Sequence, residues 1–189
     1  MPILRREADI YPADLFSLPL STLPWEIVQV RSRQEKSVAR VLAQHQQPFY
    51  LPQIQKTAKR NGRNFVSFLP LFPGYIFVRQ TPAMQGILRS SSGVARAIPV
   101  SDQILLATEL QQIRRLQESG ATLVTAPQIM PGDAVRVTDG IFKGYIGTVT
   151  REAGAVRLVV SITAVHFSVI AEFPRDSVAI HTDRQRGHR

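Results

Sequence analysis

Beyond residue 130 the chain offers only short β-branched runs, and this constrains its fold more than any other feature. Residues 134–137, 146–149, 156–160, 165–170 and 177–180 are too short to be helices, and Asp139-Gly140, Lys143-Gly144 and Ala153-Gly154 punctuate them. Five short strands in about fifty residues form a small barrel.

The preceding half follows a different pattern. Residues 25–31 read as a strand, and Ser32-Arg33-Gln34-Glu35 matches a capping box that starts a helix running to about Gln46. The inner face of that helix is Val38, Val41, Leu42 and His45, while Arg33, Lys36 and Arg40 form a basic stripe on the other side. Residues 48–54 and 65–69 read as a hairpin with a cationic tip over 56–63, where Asn61-Gly62 signals a tight turn. Pro73-Gly74 launches a strand over 75–78, followed by a short helix over 83–90 and a strand over 94–100. Ser101 or Thr108 caps a last helix, in which Leu106, Leu110, Ile113 and Leu116 recur at helical spacing before Gly120. The expected fold class is α+β: an α/β sandwich with a mostly antiparallel sheet, then a β-barrel.

Charge divides the chain at the same place. Residues 25–118 carry 13 basic and five acidic side chains, 119–129 carry none, and 130–180 carry five of each, within a net charge of +9. The expected organisation is an extended, proline-rich arm over 1–24, a basic domain over 25–118, a linker over 119–129, a barrel domain over 130–181 and a basic tail over 182–189. An excess of +8 on one small domain favours polyanionic partners.

Several function classes are excluded. The absence of cysteine removes disulfides, thiolate nucleophiles and iron–sulfur clusters. His45, His166, His181 and His188 are scattered, and no nucleotide-binding glycine loop or nucleophile–base spacing occurs, so neither an enzyme nor a cofactor or metal is expected. Arg5, Arg6, Glu7 and Asp9 interrupt the start, and the most apolar run, 158–171, is short of a membrane span. Export and membrane insertion are not expected, and a cytoplasmic location is.

Residues 131–149, PGDAVRVTDGIFKGYIGTV, resemble the KOW motif of ribosomal proteins and transcription elongation factors, in which the glycine matched by Gly144 lies between two strands of an SH3-like barrel. Upstream, WEIVQV at 25–30, the helix with Glu35 and Lys36, and above all LPLFPGYIFV at 69–78 resemble the N-terminal domain of NusG-type transcription factors. The resemblance covers about residues 25–180, and the PLFPGYIFV form is closer to the specialised paralogues that include RfaH and the polysaccharide-operon regulators.

This resemblance implies a monomeric transcription factor that docks on RNA polymerase at the clamp helices, bridges the cleft and modulates pausing and termination. By position, Ile27, Phe72, Pro73, Tyr75 and Phe77 form the docking depression. Arg31, Ser32, Arg33, Gln34, Lys36 and Arg40 are placed to touch the exposed non-template DNA strand. Ser92 precedes Gly93-Val94 where RfaH has an arginine, so sequence-specific loading is not implied. The barrel contacts partners through Ile162, Thr163 and Val165, where housekeeping members carry Phe-Gly-Arg around the aligned Thr163-Ala164-Val165. Ribosomal protein S10 stays open as that partner, and Rho is disfavoured. High strand propensity from Val156 to Phe173 predicts a stable barrel with no helical alternative. The competing reading is a KOW-containing ribosome-associated or RNA-binding protein, but its charge should lie in the barrel, and residues 130–180 are neutral.

Overall fold

The computed structural model describes residues 8–60, 63–120, 122–127, 134–136, 146–152 and 155–174. The chain divides into two compact units, residues 1–107 and 108–189.

The first unit is built on a five-stranded sheet. Its strands are β1 (Ile10–Tyr11), β2 (Trp25–Val30), β3 (Phe49–Tyr50), β6 (Tyr75–Arg79) and β7 (Val94–Pro99), in the order β1-β3-β6-β2-β7, with every pair antiparallel. Between β3 and β6 the chain leaves the sheet as a separate two-stranded ribbon, β4 (Gln53–Arg60) with β5 (Arg63–Pro70). The run 48–54 therefore splits in two: Pro52, which has no amide to give a ladder, lies between β3 and β4. The Asn61-Gly62 turn lies outside the described residues.

Two helices, α1 (Glu35–Gln44) and α2 (Met84–Ser90), cover one face of the sheet. Val28, Val30, Phe49, Leu51, Ile76 and Val78 pack there against Val38, Ala39 and Leu42 of α1 and Met84, Ile87 and Leu88 of α2. The inner face of α1 is as expected except at His45, which is exposed. The capping box does not form. Arg33 adopts φ +62° and closes a turn from Arg31 to Gln34, so the helix begins at Glu35, and Ser32 lies outside the cap position.

Strand alternation puts Trp25, Ile27, Tyr50, Phe77 and Arg79 on the opposite face, where all are buried. The segment expected as an extended arm packs into this unit. Leu15 is fully buried, and Phe16 lies 5.8 Å from the Trp25 ring and 5.3 Å from Tyr50. The Arg79 guanidinium stacks 4.8 Å over Trp25 and donates through Nη2 to the Leu18 and Pro19 carbonyls at 2.8 and 2.9 Å. Burial lowers its pKa from the usual guanidinium value.

Helix α3 (Gln103–Glu118) contains the boundary between the units. Asp102 caps it, its Oδ1 accepting from the Leu105 amide at 2.8 Å, in place of Ser101 or Thr108. The Leu106, Leu110, Ile113 and Leu116 stripe is buried.

In the second unit, β8 (Thr122–Pro127), β9 (Ala134–Arg136), β10 (Ile146–Glu152), β11 (Ala155–Ile162) and β12 (Phe167–Pro174) form an antiparallel sheet in the order β8-β12-β11-β10-β9. Its first strand comes from the segment expected as linker. Residues 122–127 carry no charge, and their backbone pairs antiparallel with the edge of β12. The run from Val156 to Phe173 forms β11 and β12, joined by a turn at Thr163–Val165 with His166 in the left-handed region at φ +53°. Gly140, Gly144 and the expected strand at 177–180 lie outside the described residues. The fold class is thus the expected α+β arrangement of a helix-covered antiparallel sheet followed by a small β unit.

Candidate functional site

Two of the expected surfaces meet where β2 ends and α1 begins. The Glu35 side chain at the start of α1 is buried, and its Oε1 accepts from the Gly74 amide at 2.8 Å. Gly74 adopts φ +86°, a conformation that glycine takes without steric penalty, and its carbonyl accepts from the Val30 amide at 2.8 Å. The Pro73–Tyr75 loop is thereby fastened directly to the root of α1.

A second fastening comes from Gly93. Its carbonyl accepts from the Arg31 amide at 2.8 Å. A Cβ added there would fall 2.8 Å from Val38 Cγ2 and 3.1 Å from Gln34 Cβ, so the turn before β7 presses against the start of α1 more closely than a side chain would permit. Neither role was legible in the sequence, where Glu35 matched a local capping pattern and Gly93 stood only beside the departure at Ser92.

These contacts hold the basic stripe in place. Arg31, Arg33 and Arg40 are exposed, and Gln34 and Lys36 are partly so, with Ser32 exposed between them. From Lys36 to Ser101 the sequence has nine lysines and arginines and no aspartate or glutamate. Arg79 among them is buried, and the rest of this unopposed positive charge attracts phosphates.

The five residues expected to form one docking depression are divided by burial. Pro73 is exposed and Tyr75 half-buried, whereas Ile27, Phe72 and Phe77 are fully buried, with the Phe72 and Phe77 rings edge to face at 5.6 Å. Ile27 and Phe77 are register partners across β2 and β6 and share the face of Tyr75, two residues from Phe77. The accessible part of this stretch is therefore Pro73 and Tyr75.

The turn of the second unit is likewise divided. Ile162 and Val165 are buried, and Thr163 is exposed at its surface while its amide donates to both Glu109 carboxylate oxygens at 3.2 Å and its hydroxyl to Oε1 at 2.6 Å. Glu109 belongs to the α3 portion of the same unit. Among the described residues no group of three or more histidine, cysteine, aspartate or glutamate side chains could hold a metal ion, and no helix is long and apolar enough to cross a membrane.

Comparison with known proteins gives this architecture a family. Residues 23–117 match the family model described as transcription termination factor NusG, and residues 131–151 match the KOW motif. The chain belongs to the NusG family. It is similar to the transcription termination/antitermination protein NusG of Chlamydia pneumoniae, with 27% identity over 157 residues, which cover 73% of this chain and 85% of the relative. The corresponding NusG of Yersinia pestis is 28% identical over 162 residues, covering 73% and 86%. A solved structure of Thermotoga maritima NusG, described for its domain interaction, superposes with a TM-score of 0.46 at 18% identity, covering 85% of this chain and 98% of that one. The NusG model spans β2 to nearly the end of α3, and so includes both the basic stripe and the Pro73–Tyr75 loop.

Proposed function

We propose that this NusG-family protein is a non-enzymatic transcription termination/antitermination factor that docks on RNA polymerase and modulates pausing. Its NusG N-terminal domain, residues 25–118, engages the polymerase clamp helices and bridges the cleft. The KOW domain, residues 130–181, offers a second protein Thr163 and Ala164, the exposed part of the Ile162–Val165 turn, with S10 the open candidate. Pro73 and Tyr75 make the first contact, with Ile27, Phe72 and Phe77 as the packed apolar wall behind them. Arg31, Arg33, Gln34, Lys36 and Arg40 face the exposed non-template DNA strand through phosphate contacts. The form of residues 70–78 favours a specialised paralogue of the RfaH type acting in the cytoplasm.

The observation that carries this reading is the Glu35–Gly74 hydrogen bond, which holds the docking loop and the cationic helix start as one surface. A factor that grips both a polymerase lever and the nucleic acid beside it needs the two sites at fixed separation. The neutral stretch 130–180 speaks against rRNA gripped by the barrel. The test is co-purification with polymerase, and elongation over known pauses, for the protein and for the variant Pro73→Ala/Tyr75→Ala. The double variant should lose at least tenfold in polymerase affinity and its effect on pausing while keeping its melting temperature. Undiminished binding by that variant would place the docking surface elsewhere.

A further inference from the structure

The β4–β5 ribbon is the part of the first unit that the proposed docking does not use. Its strands pair from Gln53–Pro70 out to Arg60–Arg63, yet residues 55–59 and 63–67 are all exposed, so neither face has a second layer over that stretch. A lone two-stranded ribbon is marginal in water, and this one shows Phe65, Val66 and Leu69 at 44%, 39% and 40% exposure. Such a surface is suited to being covered.

Its composition indicates by what. Strand alternation places Leu69, Ser67, Phe65 and Arg63 on one face, with Ile54, Lys56 and Ala58 opposite the first three. Phe65 and Leu69, four residues apart, are about 13 Å from each other along the strand. Lys56 lies across from Ser67 between them, and Arg63 lies beyond Phe65. An aromatic ring and an aliphatic side chain alternating with cations is the arrangement that single strands use, bases on the apolar groups and phosphates on the charges. A duplex hides its base faces and gains nothing from Phe65. With no acidic residue anywhere from Lys36 to Ser101, the ribbon has no counter-charge of its own.

We propose that the Phe65–Leu69 face of this ribbon is a sequence-tolerant platform for single-stranded DNA. The choice of DNA rests on the function proposed above, in which α1 already lies along a displaced strand, and on reach. Gly74 lies four residues beyond Pro70 at the ribbon base, at most about 14 Å of chain, and the Gly74 amide is bonded to Glu35 at the start of α1. One strand can therefore run from the basic stripe onto the ribbon.

The test is fluorescence anisotropy of the full chain with a labelled oligothymidine of about 12 nucleotides, beside the same-length oligouridine, a duplex DNA and an acidic peptide. Phe65→Ala should weaken oligothymidine binding about fivefold or more, and Phe65→Trp should hold or improve it. Lys56→Gln with Arg63→Gln should flatten the slope of log Kd against log salt by about 1.4, two single-strand phosphates. Unchanged binding by Phe65→Ala, a Phe65→Trp variant as weak as Phe65→Ala, or tighter binding of RNA, duplex or peptide overturns the proposal. Charge reversal on α1, Arg33→Glu with Lys36→Glu, separates the two readings. If that pair abolishes binding while Phe65→Ala changes nothing, the ribbon proposal falls alone. If only Phe65→Ala weakens binding, the platform stands and the α1 contact fails.

Discussion

Replacement of Glu35 by alanine tests whether the candidate surface is held together as described. The side chain is 7% exposed, so solvent does little to screen the bond its Oε1 accepts from the Gly74 amide at 2.8 Å. Hydrogen bonds to a charged group contribute about 1.5–3 kcal/mol, and an acidic residue in the first turn of a helix adds about 0.3–1 kcal/mol through the helix dipole. Alanine should therefore cost about 2–4 kcal/mol, or roughly 8–16 °C in melting temperature for a unit of this size. Glutamine keeps an oxygen acceptor without the charge and should cost about 1 kcal/mol. Urea denaturation followed by tryptophan fluorescence reads the first unit directly, because Trp25 is the only tryptophan and is 1% exposed. The alanine variant should also lose affinity for both polymerase and single-stranded DNA, since the loop and the helix start then move independently. A cost below about 0.5 kcal/mol, or a glutamine variant as unstable as the alanine one, would refute the reasoning.

Two further substitutions probe the same unit. Gly93→Ala should destabilise by about 1–3 kcal/mol, measured by the same titration, because the new methyl meets Val38 Cγ2 at 2.8 Å and Gln34 Cβ at 3.1 Å. A neutral result would mean that the turn before β7 can shift away from α1. Arg79→Ala removes two bonds to the Leu18 and Pro19 carbonyls and the stack on Trp25, and should cost about 3 kcal/mol and speed limited proteolysis within residues 8–24. Arg79→Lys should not restore protection, since one ammonium cannot reproduce the planar fork, and full rescue by lysine would contradict that account.

Elements with local causes are legible in the order of residues alone. Short β-branched apolar runs at 25–30 and 75–79 make β2 and β6, which are buried on both faces, helical spacing makes α1 and α3, and glycine punctuation with β-branched runs makes the second unit a strand assembly. The motifs at 69–78 and 131–149 likewise pointed to the NusG family, since they are contiguous. Alternation also put Tyr75 and Phe77 on one face of their strand, but Ile27 joins them only through its register with Phe77, and only packing seals Ile27 and Phe77 while Tyr75 stays reachable. Features that depend on a partner distant in the chain were settled by packing. Glu35 turns from a cap to Gly74, 39 residues away. Arg79 ties down a segment 60 residues upstream that reads as a free arm, and residues 122–127 become a strand because β12 offers an edge. A side chain's type limits the bonds it can make, and packing chooses among them, so the chemistry of this surface was readable in one dimension and its assembly was not.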